Sequence, residues 1–182
     1  MSFCQNNRLK GRFYFFMYSN KDQRMKITTC QRMAKGHKQE ALRLLSLFLK
    51  EDEHYLESRT AYGDGGESAL QDAIDLFLSH PDLGFVWIAI DKQEAVGICV
   101  VCYAISTSAG ALVAKLDDVY VPASRQSQGI GSLLMSSLYQ ELRSMGVSRI
   151  DTSVHYNNTG AERFYIRQGF KPLNEERLSL LL

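Results

Sequence analysis

Leu116-Asp-Asp-Val-Tyr-Val-Pro-Ala-Ser-Arg-Gln-Ser-Gln-Gly-Ile-Gly-Ser-Leu-Leu134 decides the reading of this chain. A strand enters a polar loop, two glycines follow, and Leu133, Leu134, Leu138 and Leu142 then mark the core face of a helix. The first turn of a helix leaves backbone N–H groups without partners, and the helix dipole adds partial positive charge there. Glycines let an anion approach that backbone closely. The stretch reads as a phosphate cradle, with the Arg125 guanidinium beside it. A Walker loop is excluded, because no Lys follows Gly131. The dinucleotide fingerprint also fails: Leu134 stands at its third glycine, and Pro122–Gln128 separates the strand from the turn. Taken alone, Gly129 and Gly131 could equally be glycines that start a helix.

Working outward, the chain alternates strands and helices. Residues 26–31 read as a strand and residues 36–58 as one helix, with Ala41, Leu44, Leu45 and Phe48 at helical spacing. Residues 60–66 read as loop, and residues 67–79 as a second helix that ends at His80-Pro81. Strand-like runs over 84–90 and 95–106 flank the turn Asp91–Glu94, which predicts a hairpin. A strand over 112–121, a helix over 129–145, a strand over 149–154, a helix over 159–168 and a closing strand near 177–182 complete the pattern. Antiparallel strands followed by a strand–helix–strand–helix unit predict a mixed sheet in an α/β (α+β) domain.

Composition narrows the function classes. The 182 residues are 45% hydrophobic and 23% charged, with a net charge of +1, which excludes a disordered or fibrous chain. So even a balance offers no overall field to nucleic acid or to a membrane surface, and neither partner is expected. No apolar run reaches the roughly 18 residues of a membrane-spanning helix. Cys99 and Cys102 form a CxxC inside an apolar strand, where an odd spacing points the thiols to opposite faces. No second Cys/His pair completes a zinc site, so no metal is expected and the cysteines read as core residues of a cytoplasmic protein. Residues 1–25 form a separate basic and aromatic extension, with Arg8, Lys10, Arg12, Lys21 and Arg24 against Asp22 alone. They read as a disordered arm or an extra strand, ahead of a single domain over 26–182.

A family resemblance enters at Gln126-Ser-Gln-Gly-Ile-Gly131. It resembles the Q/R-x-x-G-x-G/A signature of the GNAT superfamily of N-acetyltransferases. Asn158-Thr-Gly-Ala-Glu-Arg-Phe-Tyr165-Ile-Arg-Gln-Gly-Phe170 is similar to a second motif of that family, N-x-x-A-x-x-x-Y-x-x-x-G-F. The two stand in the expected order, joined by a helix and a strand. The resemblance implies a mostly antiparallel mixed sheet with splayed central strands and about four flanking helices. It implies acetyl-CoA as cofactor, its pyrophosphate on the loop Gln126, Ser127, Gln128, Gly129, Ile130, Gly131 and Ser132. The pantetheine arm would pair with the backbone of Val119 and Val121, and Asn158 would touch it from the next helix. Arginine is common in the family where Gln126 stands and glycine where Ser127 stands; Arg125 is positioned to replace the charge. A homodimer is a further expectation, since related enzymes often pair.

The implied reaction is direct attack of an amine on the thioester. Tyr165 is the expected general acid for the leaving thiolate, since a free Tyr of pKa near 10 is protonated at neutral pH. Asp117 is the expected base: alternation puts it on the strand face shared with Val119 and Val121, and turns Asp118 away. His155 is a second candidate. Residues 51–82 carry nine acids, Glu51, Asp52, Glu53, Glu57, Asp64, Glu67, Asp72, Asp75 and Asp82, against Arg59 alone. A solvated helix face would look the same, but as a negative mouth the segment would concentrate a cationic acceptor such as a polyamine, an aminoglycoside or a peptide amine. The alternative is a catalytically silent acetyl-CoA-binding sensor or scaffold.

Overall fold

The structure is a computed structural model that describes residues 14–17, 27–63 and 65–181. Six strands form one sheet in sequence order: β1 (Tyr14–Met17), β2 (Ile27–Arg32), β3 (Gly84–Asp91), β4 (Glu94–Ser106), β5 (Ala111–Tyr120) and β6 (Ile150–Thr152). The first five are antiparallel to their neighbours, and β6 runs parallel to β5. Within the N-terminal extension, Tyr14–Met17 is the extra strand, paired with Ile27–Cys30. The remainder of residues 1–26 lies outside the described residues.

The described residues form five α-helices: α1 (Lys38–Glu51), α2 (Glu53–Tyr62), α3 (Gly66–Ser79), α4 (Ile130–Ser144) and α5 (Thr159–Arg167). The expected helix over 36–58 is two helices. Asp52 is extended, with ψ 106°, and its carboxylate accepts the Tyr55 N–H at 2.7 Å, so it ends α1 and caps α2. Periodicity carries no trace of this break, because α2 buries no residue of its own. The expected closing strand is also absent: among the described residues no strand follows α5. The tail instead runs irregularly back to α2, where the Ser179 hydroxyl donates to the Ala61 carbonyl at 3.1 Å. Arg177 lies 5.3 Å from the centre of the Tyr62 ring.

Strand alternation splits the core into two layers. Phe85, Trp87, Cys99, Val101 and Leu116 face Leu133, Leu134, Leu138 and Leu142 of α4. Val86, Ile88, Ile98 and Val100 face Ala41, Leu44 and Leu45 of α1 and Ile74 of α3. Cys99 packs in the first layer and Cys102 against the second, so the CxxC thiols do point to opposite faces. Burial pushes both thiols up, which keeps them protonated and inert. The β3–β4 turn holds Lys92 and Gln93 at φ 49° and 74°, the two left-handed residues of a tight hairpin. None of the described helices is long and apolar enough to cross a membrane.

Candidate active site

After β5 the chain makes one turn of 3₁₀ helix at Ala123–Arg125 and reaches α4 through residues of unusual backbone. Ser127 has φ 59° and Gly129 has φ 81°, both left-handed. Gly129 is the N-cap of α4, and no side chain caps the first turn. The leading N–H groups of α4 are therefore free to meet an anion in the concavity that alternating backbone hands create. Gln126 and Gln128 hold this loop with their side-chain amides, donating to the carbonyls of Val121 and Ser124, each at 3.0 Å. A Cβ on Gly131 would lie 3.2 Å from Cε2 of Phe164, so the Phe164 ring of α5 packs close against this turn. The sequence reading had assigned that glycine to the phosphate.

A second feature opens the sheet. Leu116 pairs with Val101 and Val119 with Cys99, so Asp117 and Asp118 together face the single residue Val100. This is a bulge with one extra residue on β5. Pairing between β5 and β6 runs only from Ala114–Ile150 to Leu116–Thr152 and then stops. Before the bulge, Ala114 gives its N–H to Arg149 and Leu116 its carbonyl to the Thr152 hydroxyl. The extra residue exchanges the alternation, which turns the main chain of Val119 and Val121 toward the side that β6 has left.

Tyr165 and Asp118 lie near each other where the strands part. Tyr165 of α5 is 8% exposed, packs edge-on to Phe164 and Phe170, and interacts with the Thr152 hydroxyl. Burial pushes its phenol well up, so it is protonated at every physiological pH. Asp118 is pushed up to about 6, first by burial and then by the charge of Asp117. Asp52 raises it further, while Lys115 and Arg177 oppose the shift. Tyr120 donates its hydroxyl to Glu51 at 2.8 Å. A groove of about 990 Å³ passes Thr152, Tyr165 and Phe170 and is bordered by tail residues Leu173 and Arg177.

Residues 45–170 match the sequence profile of the Acetyltransferase (GNAT) family. The chain belongs to that family. Its chemistry is acetyl transfer. No curated protein matches the chain. Solved structures with the GNAT fold do: a possible acetyltransferase from Clostridium difficile 630 superposes with a TM-score of 0.72 at 13% identity, over 85% of this chain and 97% of that one. An integron cassette protein from the mobile metagenome of Cole Harbour Salt Marsh gives 0.69 at 23%, over 84% and 90%. An aminoglycoside N-acetyltransferase solved with CoA gives 0.66 at 16%, over 87% and 96%.

The GNAT cofactor fits these residues. The uncapped α4 turn and its left-handed loop suit a pyrophosphate, and the open edge of β5 suits an extended amide-bearing arm. Ile130 is buried in the core at 8% exposure and can offer only its backbone. Ser132 is exposed and accepts from the Gln168 amide at 3.4 Å. Asn158 is the N-cap of α5, its side-chain oxygen accepting from the Ala161 N–H at 2.9 Å, and its amide NH₂ remains for a ligand. The carbonyl of Val121 already accepts from Gln126. Arg125 is not free to replace a cradle charge: it lies 3.1 Å from Glu94 and 3.6 Å from Asp91.

Asp117 needs correction on its geometric argument. Alternation fails at the bulge, and Asp117 is exposed and paired with Lys115 at 2.9 Å. Asp118 is the less exposed carboxyl of the two. His155 faces Glu57, its Nε2 3.2 Å from the carboxylate. Sequence reasoning missed Arg177 altogether; a lone cation in a polar tail gives no signal. Of the nine acids in the expected mouth, Asp64 lies outside the described residues and Asp75 is held by Lys38 at 2.6 Å. Glu51 and Asp52 are the acids tied by contact or charge to Tyr120 and Asp118.

Proposed function

We propose that this chain is an acetyl-CoA-dependent N-acetyltransferase that moves the acetyl group directly to a primary amine of a cationic acceptor. The observation that carries the reading is the placement of Asp118 and Tyr165, two groups with opposite proton tasks, where β5 and β6 separate. Acetyl-CoA supplies an activated acyl group whose carbonyl carbon accepts the amine nitrogen as the C–S bond breaks.

Asp118, ionised above about pH 6, removes a proton from the acceptor ammonium, directly or through a water. Tyr165 holds a proton at all working pH and gives it to the departing sulfur. Thr152 orients the Tyr165 hydroxyl, and Phe164 and Phe170 fix the ring. The backbone of Gln126–Ser132 carries the pyrophosphate, and the open backbone of Val119 and Val121 carries the arm. Asp52 adds negative charge toward Asp118 and Glu51 adds it at the Tyr120 hydroxyl, which favours an acceptor with more than one ammonium group. The fold's likeness to an aminoglycoside N-acetyltransferase supports a small polycationic amine.

The test is thiol release from acetyl-CoA against polyamines, aminoglycosides, single amino acids and lysine-bearing peptides. Turnover is expected with the polyamines or aminoglycosides. Binding of acetyl-CoA by calorimetry with no turnover on any class would replace this reading with a silent sensor or scaffold.

A further inference from the structure

Three side chains that share no sequence motif meet beside the cleft. His54 and Glu57 lie one turn apart on α2, and His155 follows β6 in the loop to α5. One ligating atom from each lies within 4.8 Å of the other two. His155 Nε2 is 3.2 Å from a Glu57 carboxylate oxygen. The His54 and His155 rings stack, with centroids 5.0 Å apart and planes at 23°. His54 Nδ1 is buried and has no hydrogen-bond partner.

A His–Glu ion pair accounts for one of these contacts only. It leaves unexplained why a second imidazole is held against the first. A buried ring nitrogen without a partner also costs free energy that a bound ligand would recover. A divalent cation accounts for the grouping, because it takes a lone pair from each imidazole and neutralises the carboxylate, and ligation through His54 Nδ1 would give that buried atom its partner. We propose that His54, Glu57 and His155 form a three-ligand transition-metal site that ties α2 to the β6–α5 loop. Two nitrogens and one oxygen suit Zn²⁺, whereas Mg²⁺ and Ca²⁺ require oxygen sets. Tetrahedral bonds of about 2.0–2.2 Å place ligand atoms roughly 3.4 Å apart. The His155–Glu57 pair already has that spacing, and the remaining closure is rotation of side chains. Metal on His155 Nε2 moves the ring proton to Nδ1, which gives up the 3.3 Å contact from the Asn157 N–H. That contact is at the long end of the hydrogen-bond range, so little is lost. The exposed Glu57 provides the entry path, and the fourth position is left to water. An ion there would pin the acceptor wall to the segment that precedes Asn158.

The experiment is calorimetric titration of Zn²⁺ into the full chain after chelator stripping under reducing conditions, with Co²⁺ absorption as a second readout. One saturable site per chain is expected, with a tetrahedral Co²⁺ band and no thiolate charge-transfer band. A His54→Ala, His155→Ala double variant should weaken binding by more than about 100-fold, beyond the loss of an outer-shell partner. Glu57→Gln, at an exposed position that the fold tolerates, should weaken it as well. A Cys4→Ser, Cys102→Ser variant should bind as the parent does. Zn²⁺ should also raise the Tm of the parent but not of the double variant. No saturable binding, or binding that survives in the histidine variant or is lost in the cysteine variant, overturns the proposal. None of these readouts depends on acetyl transfer.

Discussion

Replacing Asp118 with Asn should make the protein more stable and nearly inactive at the same time. Its carboxyl is raised from an ordinary 3.8 to about 6, chiefly by burial. Two units correspond to about 3 kcal/mol by which the folded chain disfavours the ionised form. The folded value lies above the unfolded one, so folding takes up protons between them. Below about pH 4 the carboxyl is protonated in both states and costs the fold nothing. As pH rises through 6 the cost develops in full. Asn keeps the shape without the charge, so Asp118→Asn should gain up to about 3 kcal/mol at pH 8, and the gain should vanish toward pH 4. In a chain of this size that is a rise of roughly 5–10 °C in Tm. Activity should move the other way. Loss of a general base lowers kcat/KM by about 10²–10⁴, and the acid limb near pH 6 should disappear from the residual rate. Thermal melts across pH and thiol-release profiles measure both. A variant Tm at pH 8 no higher than the parent's, or an acid limb that persists in Asp118→Asn, refutes the reasoning.

Tyr165→Phe keeps the ring between Phe164 and Phe170 and removes only the proton, so kcat should drop by about 10²-fold while the KM for acetyl-CoA stays within about twofold; steady-state kinetics in both substrates decide it. Gly129→Ala puts a Cβ on a residue at φ 81° and should cost about 1–2 kcal/mol in a denaturant melt, with weaker CoA binding by calorimetry. Glu51→Gln combined with Asp52→Asn should raise the KM of a polyamine acceptor by about tenfold and leave that of acetyl-CoA unmoved, the effect shrinking with added salt. Asn retains the cap on α2, so a fall in Tm is not expected; an unchanged polyamine KM would sink the steering argument.

Much of the sheet was legible because its signals are local. The Asp91–Glu94 turn, the alternation over 84–106 and the leucine face of α4 each need only neighbouring residues. The start of α4 was legible for the same reason: its glycines and leucines lie side by side. The α1–α2 break was hidden, since one extended residue at Asp52 leaves composition and periodicity unchanged. The missing closing strand was a different failure. Leu178, Leu180 and Leu181 look like strand residues, yet Leu178 and Leu180 are more than 80% exposed, and the tail is held by Ser179 and Arg177. Gly131 and Asn158 each also have a structural neighbour, Phe164 and the Ala161 N–H, that is distant or silent in the pattern. His54, Glu57 and His155 could not be grouped at all, since only the fold brings α2 to the loop after β6.

The bulge on β5 is where sequence reasoning and chemistry diverge most, and its consequences are linked. Strict alternation would give Asp117 the inward position and leave Val119 and Val121 bonded into the ladder. One extra residue reverses both outcomes. It sets Asp117 and Asp118 side by side against the single residue Val100, so that the charge of Asp117 adds to the burial that chiefly raises Asp118. It also frees the main chain of the next residues on the side where β6 has already stopped pairing. A base with a pKa near neutrality and an open strand edge for an extended ligand thus have one cause. Removing the extra residue, by deleting Asp117, should restore a regular ladder, return residue 118 to the alternation and close the edge. The expected result is a folded protein that has lost acetyl-CoA binding as well as the acid limb. Loss of the acid limb with binding intact would show that the open edge of β5 arises from the early end of β6 alone.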